Sequence, residues 1–202
     1  IKNILDLIKY PKWCFNMIST PRRTFRNIVG HVEGVSDVTK LSSWVSEQFD
    51  PKLSWEDVSR IRDWWGGKFI IKGILEPEDA LNALKVGADA IMVSNHGGRQ
   101  LDQTSSTISM LPKIVEAVKG KSAVWLDGGI RSGQDILKAV ALGADNTLIG
   151  RAMSYGLAAN GISGCEKTLN ILHTELDMTM ALCGHKNLKE VDDSILKIEN
   201  DF

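Results

Sequence analysis

Cysteine is scarce in this chain: three in 202 residues, Cys14, Cys165 and Cys183, with no CxxC pair among them. An odd, widely spaced set encodes neither a disulfide framework nor a zinc site, and it fits a reducing compartment. Long apolar runs are missing too. No stretch approaches the roughly 20 residues that a spanning helix needs. No charged segment followed by an apolar run and a small-residue cleavage site opens the chain. Charge of one sign is not in excess, since 24 Lys and Arg face 25 Asp and Glu for a net charge of −1. That balance argues against nonspecific nucleic-acid binding by the whole chain. With 43% hydrophobic and 24% charged residues, the composition is that of a globular protein rather than a disordered one. His31, His173 and His185 lack metal-ligand spacing to Cys or carboxylates, so no metal is expected. An initiator Met is absent at Ile1, and the expectation is a part of something longer.

What charge there is lies unevenly. Residues 1–31 carry Lys2, Lys9, Lys12, Arg22, Arg23 and Arg26 against Asp6 alone, giving this segment +5 and the remainder −6. Ile4, Leu5, Leu7 and Ile8, then Trp13, Phe15, Met17 and Ile18, are interleaved with those cations. Such a composition suits a surface lying on anionic lipid headgroups. A basic loop packed on its own protein is the plainer alternative. Residues 1–50 are accordingly read as a basic amphipathic segment, and 51–202 as a separate α/β part.

In that second part the pattern is regular. Phe69-Ile70-Ile71, Ala90-Ile91-Met92-Val93, Ala123-Val124-Trp125-Leu126 and Thr147-Leu148-Ile149 are short apolar runs of buried-strand type. Between them lie helical faces: Ala80, Leu81, Ala83 and Leu84; Ile108, Leu111, Ile114, Val115 and Val118; Ile136, Leu137, Ala139, Val140 and Leu142. Pro77 suits a first helical turn, Ser132 with Asp135 resembles a capping pair, and Gly87, Gly120 and Gly143 sit where helices should stop. Gly73-Ile74, Asp79, Ala83 and Gly87-Ala88-Asp89 recur 56 residues later as Gly129-Ile130, Asp135, Ala139 and Gly143-Ala144-Asp145. Repeating βα units point to parallel strands and to a (β/α)₈ barrel, of which four strands are visible. A doubly wound sheet is the alternative, but no GxGxxG follows the first strand. Beyond residue 151 the apolar spacing predicts helices that end at Gly184. Trp64-Trp65 and the Met residues are read as packing.

Polar residues gather where each strand ends: Lys72-Gly73, then Ser94-Asn95-His96-Gly97-Gly98-Arg99-Gln100, then Asp127-Gly128-Gly129-Ile130-Arg131, then Gly150-Arg151. In a barrel these converge on one mouth. Gly128-Gly129 and Gly150 expose backbone N–H groups beside Arg131 and Arg151, which makes a phosphate cradle. Ordinary turns with surface cations are the alternative. Arg99 suits a bidentate grip on a carboxylate, and His96 suits removal of a proton from the adjacent carbon or hydroxyl. Lys72 at a strand end is placed to be partly desolvated and to stabilise an anion on a cofactor; a lysine snorkelling off the strand is the alternative. Asp102 could cap the next helix or orient His96.

With these residues laid out, the chain resembles the FMN-dependent L-2-hydroxy acid dehydrogenase and oxidase family, which includes glycolate oxidase, L-lactate dehydrogenases and mandelate dehydrogenase. Residues 94–100 resemble that family's active-site signature in full, and the other three segments follow in the family's order. Trp55, Arg60-Ile61-Arg62-Asp63 and Gly73-Ile74-Leu75 look closest to the bacterial L-lactate dehydrogenase branch. The resemblance runs from about Asp50 to Val191. It implies FMN as cofactor, oxidation of a small 2-hydroxy acid, L-lactate to pyruvate in the first instance, and an unspecified electron acceptor. It implies that His96 is the base, that Arg99 holds the substrate carboxylate, and that Lys72 stabilises the reduced isoalloxazine. Ser94 would contact the flavin, and Asp127, Gly128, Gly129, Ile130, Arg131, Gly150 and Arg151 would hold its ribityl phosphate. Some bacterial members carry a membrane-attachment region where residues 1–45 fall, so a cytoplasmic protein peripheral on the inner face of the membrane is expected. Family members are nearly twice this long. The chain is therefore expected to be their C-terminal half, four parallel strands with helices plus C-terminal helices, completed by a missing N-terminal half or by self-association. The alternative function is a catalytically incomplete, phosphate- or flavin-binding assembly of such half-barrels.

Overall fold

The computed structural model describes residues 8–20, 28, 31, 38–48 and 50–197. Lys2, Arg22, Arg23 and Arg26 of the basic segment, with Ile4, Leu5 and Leu7, lie outside the described residues. The chain divides into two compact units, Ile1–Leu53 and Ser54–Phe202.

In the first unit, helix α1 (Pro11–Ser19) opens on a proline at the first helical position, where the missing N–H is no loss. None of its residues is buried. Ile8, Trp13, Phe15 and Ile18 are all largely exposed, Phe15 at 72%. Helix α2 (Val38–Glu47) follows.

The second unit begins with α3 (Trp55–Trp64). The Ser54 N–H and hydroxyl both donate to Asp57 Oδ2 at 2.8 Å, closing the helix's first turn. These bonds, with Arg60 alongside, hold the Asp57 carboxyl down at about 2. Trp64 is 80% exposed, and the Trp65 indole N–H reaches the Lys68 carbonyl at 2.8 Å. Both rings of the tryptophan pair, read from sequence as packing, are exposed.

Strands β1 (Ile70–Ile74), β2 (Ala90–Val93), β3 (Ala123–Asp127) and β4 (Asn146–Leu148) pair in the order β1-β2-β3-β4, all parallel. Helices α4 (Pro77–Lys85), α5 (Thr107–Val118) and α6 (Gly133–Ala141) make the crossovers. This is part of a (β/α) barrel: four parallel strands in one sheet that does not close. Gly87, Gly120 and Gly143 follow the helices as the sequence predicts, each with positive φ.

Only β2 is buried throughout. β1 and β3 alternate, contrary to the expectation of uniformly buried strands. Their helix-facing residues Ile71, Val124 and Leu126 enter one core with Ile91, Val93, Leu111, Ile114 and Val118, while Ile70, Lys72, Trp125 and Asp127 belong to the opposite face. Each such apolar side chain contributes about 1.5–3 kcal/mol on full burial. A second cluster joins Leu137 and Ala141 of α6 to Leu176 and Met180 of the following helix.

That helix, α7 (Arg151–Leu182), breaks at Asn160 and Gly161. It lies so close to the start of α6 that a Cβ on Gly133 would sit 2.0 Å from the Leu176 nitrogen, and Gly133 N–H donates to Glu175 Oε2 at 2.8 Å.

The 56-residue repeat has a structural counterpart. Asp89 accepts the Phe69 N–H at 2.9 Å, and Asp145 accepts the Val124 N–H at 2.7 Å. In each repeat, the aspartate that starts one strand clamps the beginning of its neighbour.

Candidate functional site

The C-terminal ends of the four strands carry the polar residues, and the structure brings them together. Lys72 on β1 and Asp127 on β3 are ion-paired across the end of β2. The Ser94 hydroxyl lies between them, completely buried. It accepts a hydrogen bond from Lys72 Nζ at 2.8 Å and donates to Asp127 Oδ2 at 2.7 Å. Burial pushes the Asp127 carboxyl up, but the Lys72 and Ser94 hydrogen bonds and the Lys72 and His96 charges outweigh it and hold the group below the ordinary carboxylate range. Lys72 was expected to be partly desolvated. Its side chain is 41% exposed and its charge is met by Asp127.

The loop after β2 is organised by Asn95, a residue to which sequence reasoning gave no role. Its Oδ1 accepts the Gly97 and Gly98 N–H groups at 3.1 Å each, and its Nδ2 donates to the Ser105 carbonyl at 3.3 Å. The Asx-turn habit of asparagine is the signal that could have revealed it. His96 adopts φ +57, with its N–H donating to Ser94 Oγ at 3.1 Å. Arg99 Nε donates to the His96 carbonyl at 3.2 Å. Arg151 Nη2 donates to the Gly97 carbonyl at 3.3 Å, tying the start of α7 to the same loop. Among the described residues Asp102 accepts from the adjacent Gln103 N–H, and Ser106 caps α5, so neither suggested role of Asp102 is seen there.

A cavity of about 370 Å³ is lined by Lys72, His96, Arg99, Asp127, Gly128, Gly129, Ile130, Arg131, Gly150 and Arg151. Ser94, though not in the lining, bonds Lys72 and Asp127 just beneath it. A second cavity, about 380 Å³, shares Gly97, Gly128, Gly129, Ile130 and Arg151 and extends past Asn95 and Thr107 to Lys138. Ser154, which also lines the first cavity, and Thr107 and Lys138 of the second were not singled out from sequence, because none belongs to the four strand-end segments.

A Cβ built on Gly129 or Gly150 would meet no protein atom within 4 Å, so the backbone at both positions faces open space. Gly150 stands at the N-cap of α7 with no side-chain cap, and Arg131 and Arg151 flank the opening. Unsatisfied helix-start N–H groups beside two guanidinium groups are the donor set of a phosphate dianion. The histidine end, with Arg99 and Lys72, is cationic and fits a carboxylate. Among the described residues no group of His, Cys, Asp and Glu is placed to hold a metal.

The sequence model of the FMN-dependent dehydrogenase family matches residues 1–198. Among solved structures, the monotopic membrane protein (S)-mandelate dehydrogenase is 35% identical over 97% of this chain and 52% of its own, with a TM-score of 0.90. A mandelate oxidase variant carrying a monooxide FMN adduct is 46% identical over 67% of this chain and 43% of its own, with a TM-score of 0.65. Mandelate oxidase with (S)-4-hydroxymandelic acid is 44% identical over 75% and 42%, with a TM-score of 0.70. This chain thus spans about half the length of the solved structures it matches, and it belongs to the FMN-dependent dehydrogenase family.

Proposed function

We propose that this chain forms the C-terminal half of an FMN-dependent dehydrogenase that oxidises a small L-2-hydroxy acid to the 2-oxo acid. The observation that supports it is the single cavity shared by a phosphate-type cradle and a histidine–arginine pair at the strand ends. The residues fit FMN. Gly128, Gly129, Ile130, Arg131, Gly150 and Arg151 would hold the phosphate through N–H and guanidinium groups. Asp127, which the resemblance groups with them, is ion-paired to Lys72, so that pair would face the flavin end, with the buried Ser94 hydroxyl behind it. FMN, when bound, takes up the two electrons released by the substrate.

Arg99 binds the substrate carboxylate, and His96 removes a proton from the substrate carbon or hydroxyl. Lys72 supplies a positive charge held in place by Ser94 and Asp127. L-lactate is the first substrate to test. Its warrant is the resemblance at Trp55, residues 60–63 and residues 73–75, of which Arg62 serves structure by donating to the Trp65 and Gly67 carbonyls. (S)-Mandelate, the compound named for one neighbour, is the competitor.

FMN binding separates this function from others. FMN binds more tightly than riboflavin, which lacks the phosphate, and Arg151→Ala removes that difference. Equal affinity of the unmodified chain for the two overturns the cradle. Alone, the half-barrel is expected to show weak or no turnover; in a preparation completed by an N-terminal half, turnover of L-lactate over (S)-mandelate, abolished by His96→Gln, tests the chemistry.

The exposed aromatic and aliphatic residues of α1, with the cations around them, favour peripheral attachment to an anionic membrane from the cytoplasmic side. No helix among the described residues is long and apolar enough to cross a membrane. Equal co-sedimentation with anionic vesicles of chains with and without residues 1–31 overturns the attachment. A second reading, a non-catalytic assembly of two copies, draws on the open sheet, whose β1 and β4 each pair with one strand among the described residues. A sedimentation mass of one chain excludes it.

A further inference from the structure

We propose that Gly73 is a positioning residue: it forms a seat in β1 for the His96 imidazole. The inference rests on the catalytic role given above to His96, but its geometry stands on separate observations. β1 and β2 pair in register from Ile70 with Ala90 to Lys72 with Met92, and then Ile74 pairs with Val93, leaving Gly73 as an extra, bulged residue. Gly73 has φ +96. A Cβ there would lie 2.8 Å from His96 Cε1, 3.5 Å from Nε2 and 3.7 Å from Nδ1. The ring therefore rests against the backbone of the bulge, in the volume that any other side chain would occupy. On the main-chain side His96 is held by its N–H bond to Ser94 Oγ. The ring is thus pinned by β1 and the backbone by the residue that follows β2.

The bulge does a second thing. Lys72 stands immediately before it, bonded to the same Ser94 hydroxyl. A bulge re-aims the side chains beside it, so one extra glycine sets the placement of the charge-bearing Lys72 relative to the proton-accepting imidazole. Gly73 touches no reacting atom; it acts through His96.

The test uses the 202-residue chain with isotope-labelled histidine, and it needs neither flavin nor turnover. In the unmodified chain, a cross-relaxation peak joins the His96 Cε1 proton to the Gly73 α-protons, the His96 signal being identified by its loss in His96→Gln. Absence of that peak overturns the proposal outright. In Gly73→Ala, the His96 ring signals shift and its acylation by diethyl pyrocarbonate quickens relative to His31, His173 and His185. Gly73→Asn tolerates positive φ better yet keeps a Cβ, so it produces the same shift with less loss of stability. Gly120→Ala is the control. Gly120 has φ +71, and a Cβ there meets nothing within 4 Å, so this variant bears the backbone strain without moving His96. Unchanged His96 signals and acylation in a folded Gly73→Ala or Gly73→Asn chain overturn the seat.

In a preparation that turns over a 2-hydroxy acid, displacement of the ring by about 1 Å lowers kcat by roughly 10²-fold with KM little changed. Gly73→Ala leaves the FMN-over-riboflavin preference intact. Retention of turnover by His96→Gln refutes the catalytic reading while leaving the seat itself standing, so the two failures are distinguishable.

Discussion

In the first βα repeat, the residue after the last polar side chain of the strand is Gly73, and the space where its Cβ would lie holds the His96 ring. In the second, Asp127 is followed by Gly128 and then Gly129, and the space beside Gly129 is open. Both strands start under an aspartate clamp, and Lys72 and Asp127 are each followed by a glycine with φ near +100, Gly73 and Gly128; at Gly128 a Cβ would meet Thr107 Oγ1 at 3.3 Å, and the open position is the added Gly129. Strand residues correspond at a spacing of 55, as Lys72 and Asp127 do, whereas turns and helices correspond at 56. The second repeat has one more glycine at its turn. A filled turn serves to place a side chain, and an open one presents N–H groups to an anion. On the proposed function, one scaffold thus offers a proton-handling end and a phosphate-type end side by side.

The largest expected contrast between the repeats lies in the core. Leu126 is fully buried, whereas its counterpart Ile71 is half-buried on the edge strand. Leu126→Ala is expected to cost about 2–5 kcal/mol, and Ile71→Ala distinctly less, read from urea midpoints at constant m-value. Equal losses would mean that β1 is covered as fully as β3. The next contrast is at the helix starts, where Gly133 corresponds to Pro77. Gly133→Ala drives a Cβ into the α7 backbone and is expected to cost about 3 kcal/mol, the upper end for overpacking. Pro77→Ala is expected to change stability by about 0.4–1 kcal/mol through the unfolded chain. A thermal midpoint for Gly133→Ala equal to that of the unmodified chain would show that α7 is not held against α6.

Much of this was legible before the structure. Apolar runs bounded by Gly, Asp or Asn marked all four strands, and the glycines marked the helix stops, because local burial and chain reversal leave a local record. The convergence of Lys72, His96, Arg131 and Arg151 followed from the rule that strand ends of one sheet share a mouth. What stayed hidden depends on distances between segments. The Lys72–Asp127 pair joins equivalent positions of two repeats, and composition cannot show that Ser94 lies between them. The bulge at Gly73 is a mismatch of register, visible only once β1 lies beside β2. The exposure of Trp64, read from sequence as packing, is likewise a matter of what lies beside it in the fold.

A smaller contrast concerns capping. Ser132 accepts the Asp135 N–H at 3.2 Å, while Glu76, its counterpart in the first repeat, makes no side-chain cap. Ser132→Ala is expected to cost about 1 kcal/mol. Glu76→Ser, installing the missing cap, is expected to gain about 0.5 kcal/mol. A thermal midpoint that moves in neither variant would show that the side-chain cap does not distinguish the two helix starts.

The finest contrast is carried by the pair that joins the repeats. Asp127 titrates below the ordinary carboxylate value of 3.8 because Lys72 and Ser94 bond its ionised form. Its folded-state value is therefore below its unfolded one, and its contribution to stability is complete above pH 3.8. That contribution is lost as pH falls from there through the depressed value. Lys72→Met removes the cation and leaves burial to act, so the Asp127 midpoint, followed by the carboxyl carbon signal, moves upward. The acid limb of the stability curve moves with it, toward neutral pH. Should the midpoint stay where it is in the unmodified chain, the ionised form is held by Ser94 and His96 without the cation, and the two repeats meet at the mouth without the charge pair coupling them.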